Sequence, residues 1–473
     1  MKKILIGTII LCILHSILLV NQSLGINVVL FTVPLLLFLI LMMKEEKVIK
    51  NKLGLLFVIP IVLLSTTYFI YDNTMKYLNF MVIPILYLLM YIYTVKPVNT
   101  LGDMIIEFLN LLVKPLNSIG LFTKENIKIL PKQEKAKTSK IEKKQKNNDV
   151  LISLIVVVPI VIIVLLLLAS ADSIFGGLFT NIFKLDLSFL RLDKVITRVI
   201  LFVILFFYLG STIFFLTKIY PKESRVKGES KEYKPVTINM LLISLNIIYI
   251  VFDIIQINSL LLHRVAKGFN YANYARSGFF QLMAISFINI IIVLLSKKCK
   301  EETKTKIMSI VMILLTYIIN ISAFYRMFLY EQAYGYTVLR LGVYAILITE
   351  GILFIPTIIY IINKRFNILN WYIIISIAVY SIINCFSVDR IIAENNIERY
   401  ARTGKIDLYY LQNTNYDNLN QLRKILPAIK EDKRILEIDK DNFRIYIGHM
   451  DKRNESTYFG YNISKEQAKE KRD

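Results

Sequence analysis

Apolar residues run through the chain in long blocks, and polar residues gather in the stretches between them. A helix that crosses a membrane needs about 20 mostly apolar residues, and eleven blocks of about that length are present. They lie near residues 4–20, 26–43, 53–71, 77–95, 151–171, 195–217, 236–260, 279–296, 307–329, 338–362 and 370–388. The pattern predicts an all-α polytopic membrane protein with about eleven transmembrane helices.

Between the fourth and fifth blocks, residues 101–122 alternate at helical spacing. Ile105, Leu109, Leu112 and Leu116 share one side, and Asp103, Glu107 and Lys114 lie elsewhere. This spacing is typical of an amphipathic helix lying in the membrane interface. The lysine-rich residues 124–148 then predict a basic tether near anionic lipid headgroups, or a solvated linker that has no partner.

After the last block, residues 389–473 have the composition of a soluble domain. Helical rhythm is present in 391–400, 407–411 and 419–429, and 443–449 and 457–461 alternate like strands. We therefore expect a small α+β C-terminal domain. The predicted division is a four-helix region 1–95, an amphipathic helix and linker 96–150, a seven-helix membrane core 151–388 and the C-terminal domain 389–473.

Composition agrees with a lipid environment, since 55% of the residues are hydrophobic and the mean hydropathy is +0.55. The formal charge of +22 lies in the loops, which indicates topology rather than nucleic-acid binding. Alternate loops carry 30 Lys and Arg on one side and 7 on the other, so we expect a cytoplasmic N-terminus and an extracytoplasmic C-terminal domain. The first block also resembles a secretory signal, but the A-x-A cleavage pattern is missing after it, which favours an uncleaved helix.

Several short stretches resemble an uncharacterised family of bacterial multi-spanning membrane proteins that is known only by a domain of unknown function. They are 166–175 (LLLASADSIF), 274–282 (YARSGFFQL), 333–342 (AYGYTVLRLG), 392–411 and 461–464 (YNIS). The resemblance covers about 151–465 and leaves out the four N-terminal helices. It implies a location in the inner or cytoplasmic membrane, and it brings no activity, substrate or catalytic residue.

On the predicted topology, a group of charged and aromatic residues shares the outer face with the C-terminal domain. Its members are Asp172, Arg198, Arg276, Arg326, Glu331 and Arg340, with Tyr271, Tyr274, Tyr330, Tyr334 and Tyr336 between them. Arginine offers planar, bidentate donors to phosphate and carboxylate, so this surface suits an anionic lipid headgroup or an envelope polymer. The alternative is that the arginines snorkel and the tyrosines form an ordinary interfacial belt.

Two acids lie deeper in the predicted membrane. Glu350 is near the middle of the tenth block, and Asp253 lies in the seventh block on the same helical stripe as Asn246 and Asn239. A charge at such a depth costs a few kcal/mol at least. The hypotheses are a proton relay or cation site, or hydrogen bonding between helices.

No P-loop, dinucleotide fingerprint or zinc-protease motif is present, and His15, His263 and His449 are scattered, as are Cys12, Cys299 and Cys385. We therefore predict no catalytic residue, metal or cofactor. Three functions remain: a non-enzymatic sensing, scaffolding or envelope-associated protein that uses the outer arginines and tyrosines; a transporter or flippase that uses Glu350 and Asp253; and an enzyme for a lipid-linked envelope substrate, with Asp172, Glu331 and the arginines as its polar groups. The absence of motifs favours the first. The expected partner is the lipid bilayer, and nucleic acid is not expected.

Overall fold

The computed structural model describes residues 1–96, 101–127, 194–222, 235–257, 279–296, 303–363, 365–412, 415–453 and 459–470. Every regular element in these ranges is helical. The first helices in chain order are α1 (Lys2–Leu18), α2 (Ile26–Glu45), α3 (Val58–Ile70), α4 (Met75–Val95), α5 (Leu101–Asn117), α6 (Ile119–Ile127), α7 (Lys194–Phe214), α8 (Pro235–Gln256) and α9 (Phe279–Ser296). The others are α10 (Thr303–Tyr334), α11 (Val338–Ile362), α12 (Ile368–Asn384), α13 (Val388–Thr403), α14 (Leu408–Leu411), α15 (Leu419–Glu431), α16 (Glu437–Arg453) and α17 (Ile463–Glu470).

Seven stretches within the described ranges are long and apolar enough to cross a membrane, and two bent helix pairs raise the number to nine. They are Ile26–Glu45, Lys52–Ile70, Met75–Val95, Leu201–Ile219, Ile238–Gln256, Thr303–Tyr334 and Val338–Ile362. These helices indicate that the chain inserts into a membrane.

The predicted count of eleven spans is not confirmed. Ten of the eleven apolar blocks contain a helix, and the block 151–171 lies outside the described residues. Two of the helices are shorter than 18 residues, because α1 has 17 and the apolar part of α9 is Gln281–Ser296. The 17-residue α12 is long enough only together with α13, across a bend of 61°. A helix of that length reaches only about 25 Å, against a hydrocarbon core of about 30 Å.

The chain divides into two compact units. The first unit comprises Met1–Val58 and Ile85–Ser224, and α1 packs there against α2 and α7. The second unit comprises Ile59–Pro84 and Arg225–Asp473. Its central element is α10, which packs against α8, α9 and α11. The predicted four-part division of the chain stays a prediction.

The described part of the C-terminal domain is helical, so the expectation of an α+β domain is wrong there. Residues 443–449, predicted as a strand, lie inside α16. Phe443 and Ile447 are buried in a core with residues of α15, while Ile445 is 55% exposed. Residues four positions apart share one helix face, so the burial of Phe443 and Ile447 fits a helix. The alternation of apolar and polar residues in 443–449 suggests a strand only when packing is ignored. Of the second predicted strand, residues 457 and 458 lie outside the described ranges, and the described residues 459–461 form no strand.

Candidate functional site

Polar side chains form a buried line along α10, the central helix of the second unit. Each of them is at most 6% exposed, and their spacing keeps most of them on one side of the helix. They are Thr305, Ser309, Thr316, Asn320, Arg326 and Glu331. We call these residues and their partners on α8, α9 and α11 the polar seam. From Thr305 to Glu331 the seam extends about 39 Å, more than the thickness of a bilayer core.

The first half of the seam is closed by hydrogen bonds between helices. Thr305 donates to Oδ1 of Asn239 at 2.6 Å, and Nδ2 of Asn289 donates to the Thr316 hydroxyl at 2.9 Å. The Tyr249 hydroxyl donates to Oδ1 of the same Asn289 at 2.9 Å. These polar groups are therefore satisfied inside the protein, as a low-dielectric environment requires.

Glu350, on α11, meets the middle of the seam. Its carboxyl is 4% exposed and accepts a hydrogen bond from Nδ2 of Asn320 at 3.2 Å. The same Asn320 amide donates to the backbone carbonyl of Leu347 at 3.3 Å. Among the described residues, this neutral amide is the hydrogen-bond donor to the Glu350 carboxyl, and one amide does not neutralise a charge.

Asp253 is the most isolated acid of the seam. It is 3% exposed, and within the described ranges neither carboxylate oxygen has a hydrogen-bond partner. Its neighbours on α8 face α10: Asn246 donates to the Met308 carbonyl at 3.0 Å, and Gln256 accepts from Nη2 of Arg326 at 3.0 Å. Because Asp253 is seven residues from Asn246 and three from Gln256, it lies on the same helix face.

The far end of the seam contains Glu331, which accepts a hydrogen bond from the Tyr344 hydroxyl at 3.0 Å. Two arginines lie close to the end of α10. The Arg340 guanidinium donates to the Gly335 carbonyl and lies over the Tyr330 ring at 4.5 Å from its centroid. The Arg399 guanidinium donates to the carbonyls of Gln332 and Ala333. Cations at a helix C-terminus satisfy the last carbonyls and complement the helix dipole.

The structure therefore brings together part of the sequence-predicted residues. Asn246, Asp253, Arg326, Glu331, Arg340 and Glu350 all lie in the second unit along α8, α10 and α11. Asp172, Tyr271, Tyr274 and Arg276 lie outside the described residues. Arg198 lies in α7 of the first unit. Arg326 donates to Gln256 and Arg340 donates to the Gly335 carbonyl, so each of these guanidiniums makes a contact within the chain.

A second polar arrangement was missed by sequence reasoning. Asp389 and Asp417 accept hydrogen bonds from the 71–74 turn between α3 and α4, which contains Asp72. We call these three residues the aspartate clasp. The Asp72 amide donates to Asp417 at 2.6 Å, and the Thr74 amide donates to Asp389 at 2.9 Å. Asn462 adds two bonds, from its Nδ2 to the carbonyls of Tyr68 at 2.8 Å and Tyr71 at 2.9 Å.

One signal could have drawn attention to this clasp. Asp72 and Asp389 each come directly after a predicted apolar block, 53–71 and 370–388, so both acids mark the same kind of boundary. Asp417 and Asn462, which also bond to the 71–74 turn, have no comparable signal. The described contacts of the clasp are hydrogen bonds. Within the described residues, no group of His, Cys, Asp and Glu could hold a metal ion.

Comparison with other proteins places these features in a family. Neither the curated proteins nor the solved structures give a match. A family model described as "Domain of unknown function (DUF4153)" matches residues 58–425. The match begins at α3, earlier than the expected residue 151, and this agrees with the packing of α3 and the start of α4 in the second unit. Because the match covers well over half of the chain, the chain belongs to the DUF4153 family.

Proposed function

We propose that the chain moves protons across the cytoplasmic membrane and that Asp253 and Glu350 are its proton-binding groups. The observation that carries the proposal is Asp253, an acid 3% exposed whose oxygens have no hydrogen-bond partner within the described ranges. Holding a charge at membrane depth costs several kcal/mol. Ionisable residues retained at such positions typically mark ion pathways or proton relays.

The polar seam supports the same function. Asp253 and Glu350 lie on different helices, α8 and α11, and both of these helices pack against α10. Polar side chains continue along α10 on either side of them, from Thr305 to Glu331. A proton path needs polar groups at intervals through the hydrocarbon core, and the seam extends about 39 Å.

The proposal includes the orientation of the protein in the membrane. The asymmetry of 30 against 7 basic residues in alternate loops supports a cytoplasmic N-terminus and an extracytoplasmic C-terminal domain. Thr305 would then lie at the cytoplasmic end of the seam and Glu331 at the outer end.

Proton flux into liposomes tests the proposal. The full chain is reconstituted, a pH gradient is imposed, and the internal pH is followed with a trapped dye. We expect flux above that of empty liposomes, and loss of most of it in Asp253→Asn and Glu350→Gln, because neither amide can ionise. Glu398→Gln changes an acid whose side chain is 65% exposed, and it should leave the flux unchanged.

Two results would contradict this function: no flux above empty liposomes, or wild-type flux in both seam variants. Melting curves of each variant separate loss of function from loss of fold. Asp253→Glu is a further check, because it keeps a carboxyl at the site and should retain flux that Asp253→Asn loses.

The recognition surface predicted from the outer arginines and tyrosines has less support. Arg340 donates to the Gly335 carbonyl, and Arg326 donates to Gln256, so these two guanidiniums serve contacts within the chain. The enzyme hypothesis relied on Asp172 and Glu331. The first lies outside the described residues, and the second accepts a hydrogen bond from Tyr344.

A further inference from the structure

In the first unit, α5 has its polar and apolar sides reversed relative to a helix of a soluble protein. Glu107 is 5% exposed and forms an ion pair with Lys96, 8% exposed, at 3.4 Å. The opposite side of the helix is apolar and between 38% and 57% exposed. This apolar stripe consists of Ile105, Ile106, Leu109, Leu112 and Val113.

The beginning of α5 lies at the charged end of the unit. Lys96 follows the last residue of α4, and its ammonium lies 3.8 Å from the centroid of the Tyr220 ring. Close to Tyr220 in the chain, Lys218 forms an ion pair with Glu46, which follows the last residue of α2. This end of the helices therefore faces the polar side of the membrane.

The α6 helix packs against α7 at a point farther from this charged end than the beginning of α5. Phe122 packs against Phe206 and Phe214, with ring centroids 5.9 and 6.2 Å apart. A Cβ atom on Gly210 would come within 2.5 Å of the Phe122 ring, so the absence of a side chain there admits this ring. Gly210 is ten residues before Tyr220, about 15 Å along a helix, and it lies near the middle of the span Leu201–Ile219.

We propose that α5 and α6 form a re-entrant segment that penetrates the membrane, with the apolar stripe in contact with lipid acyl chains. The two helices meet at a bend of 48°, and together they are apolar enough to enter a bilayer. Pro115 lies in the last turn of α5, just before the bend, where a proline weakens the helical hydrogen bonding. This replaces the expectation of a helix lying flat in the interface.

Lipid is the occupant that the surroundings of the stripe favour. The neighbouring span α7 also exposes apolar side chains, among them Val203 and Ile204, which must face hydrocarbon in a membrane. A return to the starting side, rather than a crossing, is favoured by the lysines that follow in 128–146, because translocating them would oppose the charge asymmetry. The proposal does not depend on the seam or its protons.

Depth-resolved fluorescence quenching tests the segment. In a background with Cys12, Cys299 and Cys385 replaced, single cysteines at Ile106, Leu109, Val113 and Leu121 carry an environment-sensitive fluorophore in liposomes that contain lipids brominated at different acyl positions. We expect the position of strongest quenching to move towards the bilayer centre from 106 to 121. Leu436→Cys, at a 68% exposed apolar residue of the C-terminal domain, is the control that should show no acyl-chain quenching.

Other results would overturn the proposal. Equal, shallow quenching at all four positions would mean a helix lying flat in the interface. Absence of quenching together with disulfide cross-links between chains would mean that a second copy covers the stripe. An impermeant thiol reagent should label cysteines at Lys47 and Lys137 from the same side, and labelling from opposite sides would make the segment a complete span.

Discussion

Asp417 connects the C-terminal domain to the 71–74 turn, 345 positions away in the chain. It accepts the Asp72 amide at 2.6 Å and the Ser387 hydroxyl. Burial raises the pKa of the Asp417 carboxyl above its ordinary value of 3.8, and the nearby Asp72 raises that pKa further, while the hydrogen bonds from Ser387, Ser464 and the Asp72 amide lower it. Burial is the largest of these effects, so the charged form is the costly one.

This shift predicts how stability depends on pH. Because the folded-state pKa of Asp417 is raised, the folded protein binds this proton more tightly than the unfolded chain does. The resulting stabilisation is present below pH 3.8 and is lost as pH rises through the folded-state pKa. Asp417→Asn removes the ionisation. As the pH rises from 3.8 through the folded-state pKa, the melting temperature of this variant should therefore decrease less than that of the wild type. The exposed Asp441→Asn is the control, and a wild-type pH profile in Asp417→Asn would contradict the prediction.

For the buried polar residues of α8, the sequence predicts burial but not the hydrogen-bond partners. The stripe of Asn239, Asn246 and Asp253 follows from helical periodicity alone, and Asn246 and Asp253 are buried as that stripe predicts. Their partners do not follow from it, because the Met308 carbonyl, which accepts from Asn246, and Thr305, which donates to Asn239, belong to another helix. Contacts between helices depend on how the helices pack, and local periodicity carries no information on that.

At the level of elements, the turn from α10 to α11 depends on one backbone conformation. Gly335 has φ of +83°, and a Cβ atom there would come within 2.5 Å of Oδ1 of Asn396. The Asn396 side chain fixes the next residue, since it accepts from the Tyr336 amide and donates to the Tyr336 carbonyl, both at 2.9 Å. The end of α10 is therefore tied to α13 through this turn.

Gly335→Ala should destabilise the protein by about 2 kcal/mol or more, since the left-handed conformation costs about 1–2 kcal/mol for an L-residue and the new methyl group would displace Asn396. Gly342→Ala is the matched control, because Gly342 lies inside α11 with no atom within 4 Å of its Cβ position. Alanine there should be neutral or stabilising by up to about 1 kcal/mol. Thermal melting in detergent measures both, and equal melting temperatures would contradict the role of the turn.

At the level of the whole molecule, the charge asymmetry predicts one arrangement across the membrane. Cysteines at Lys137 and at Asn420 should react with an impermeant thiol reagent from opposite sides of the bilayer, because basic loops remain cytoplasmic. Labelling in sealed vesicles of both orientations measures this. Reaction from the same side would contradict the cytoplasmic N-terminus together with an extracytoplasmic C-terminal domain.

The sequence by itself determined that the chain is helical and enters a membrane, and it determined which helix faces are polar. These properties depend on composition and on a period of 3.6 residues, and both are local. Membership of the family also follows from sequence. Local pattern was insufficient at 443–449, where Phe443 and Ile447 fit a strand and a helix face equally well, and packing against α15 decided for the helix.

Only the tertiary structure decided which polar groups meet. It placed Glu350 against Asn320, left Asp253 without a hydrogen-bond partner among the described residues, and joined Asp72 to Asp417. It also brought Phe122 beside Gly210, deep along α7. The physical reason is the same in each case: these neighbours are separated by tens to hundreds of residues, and the energy of a buried polar or aromatic group depends on what packing places next to it.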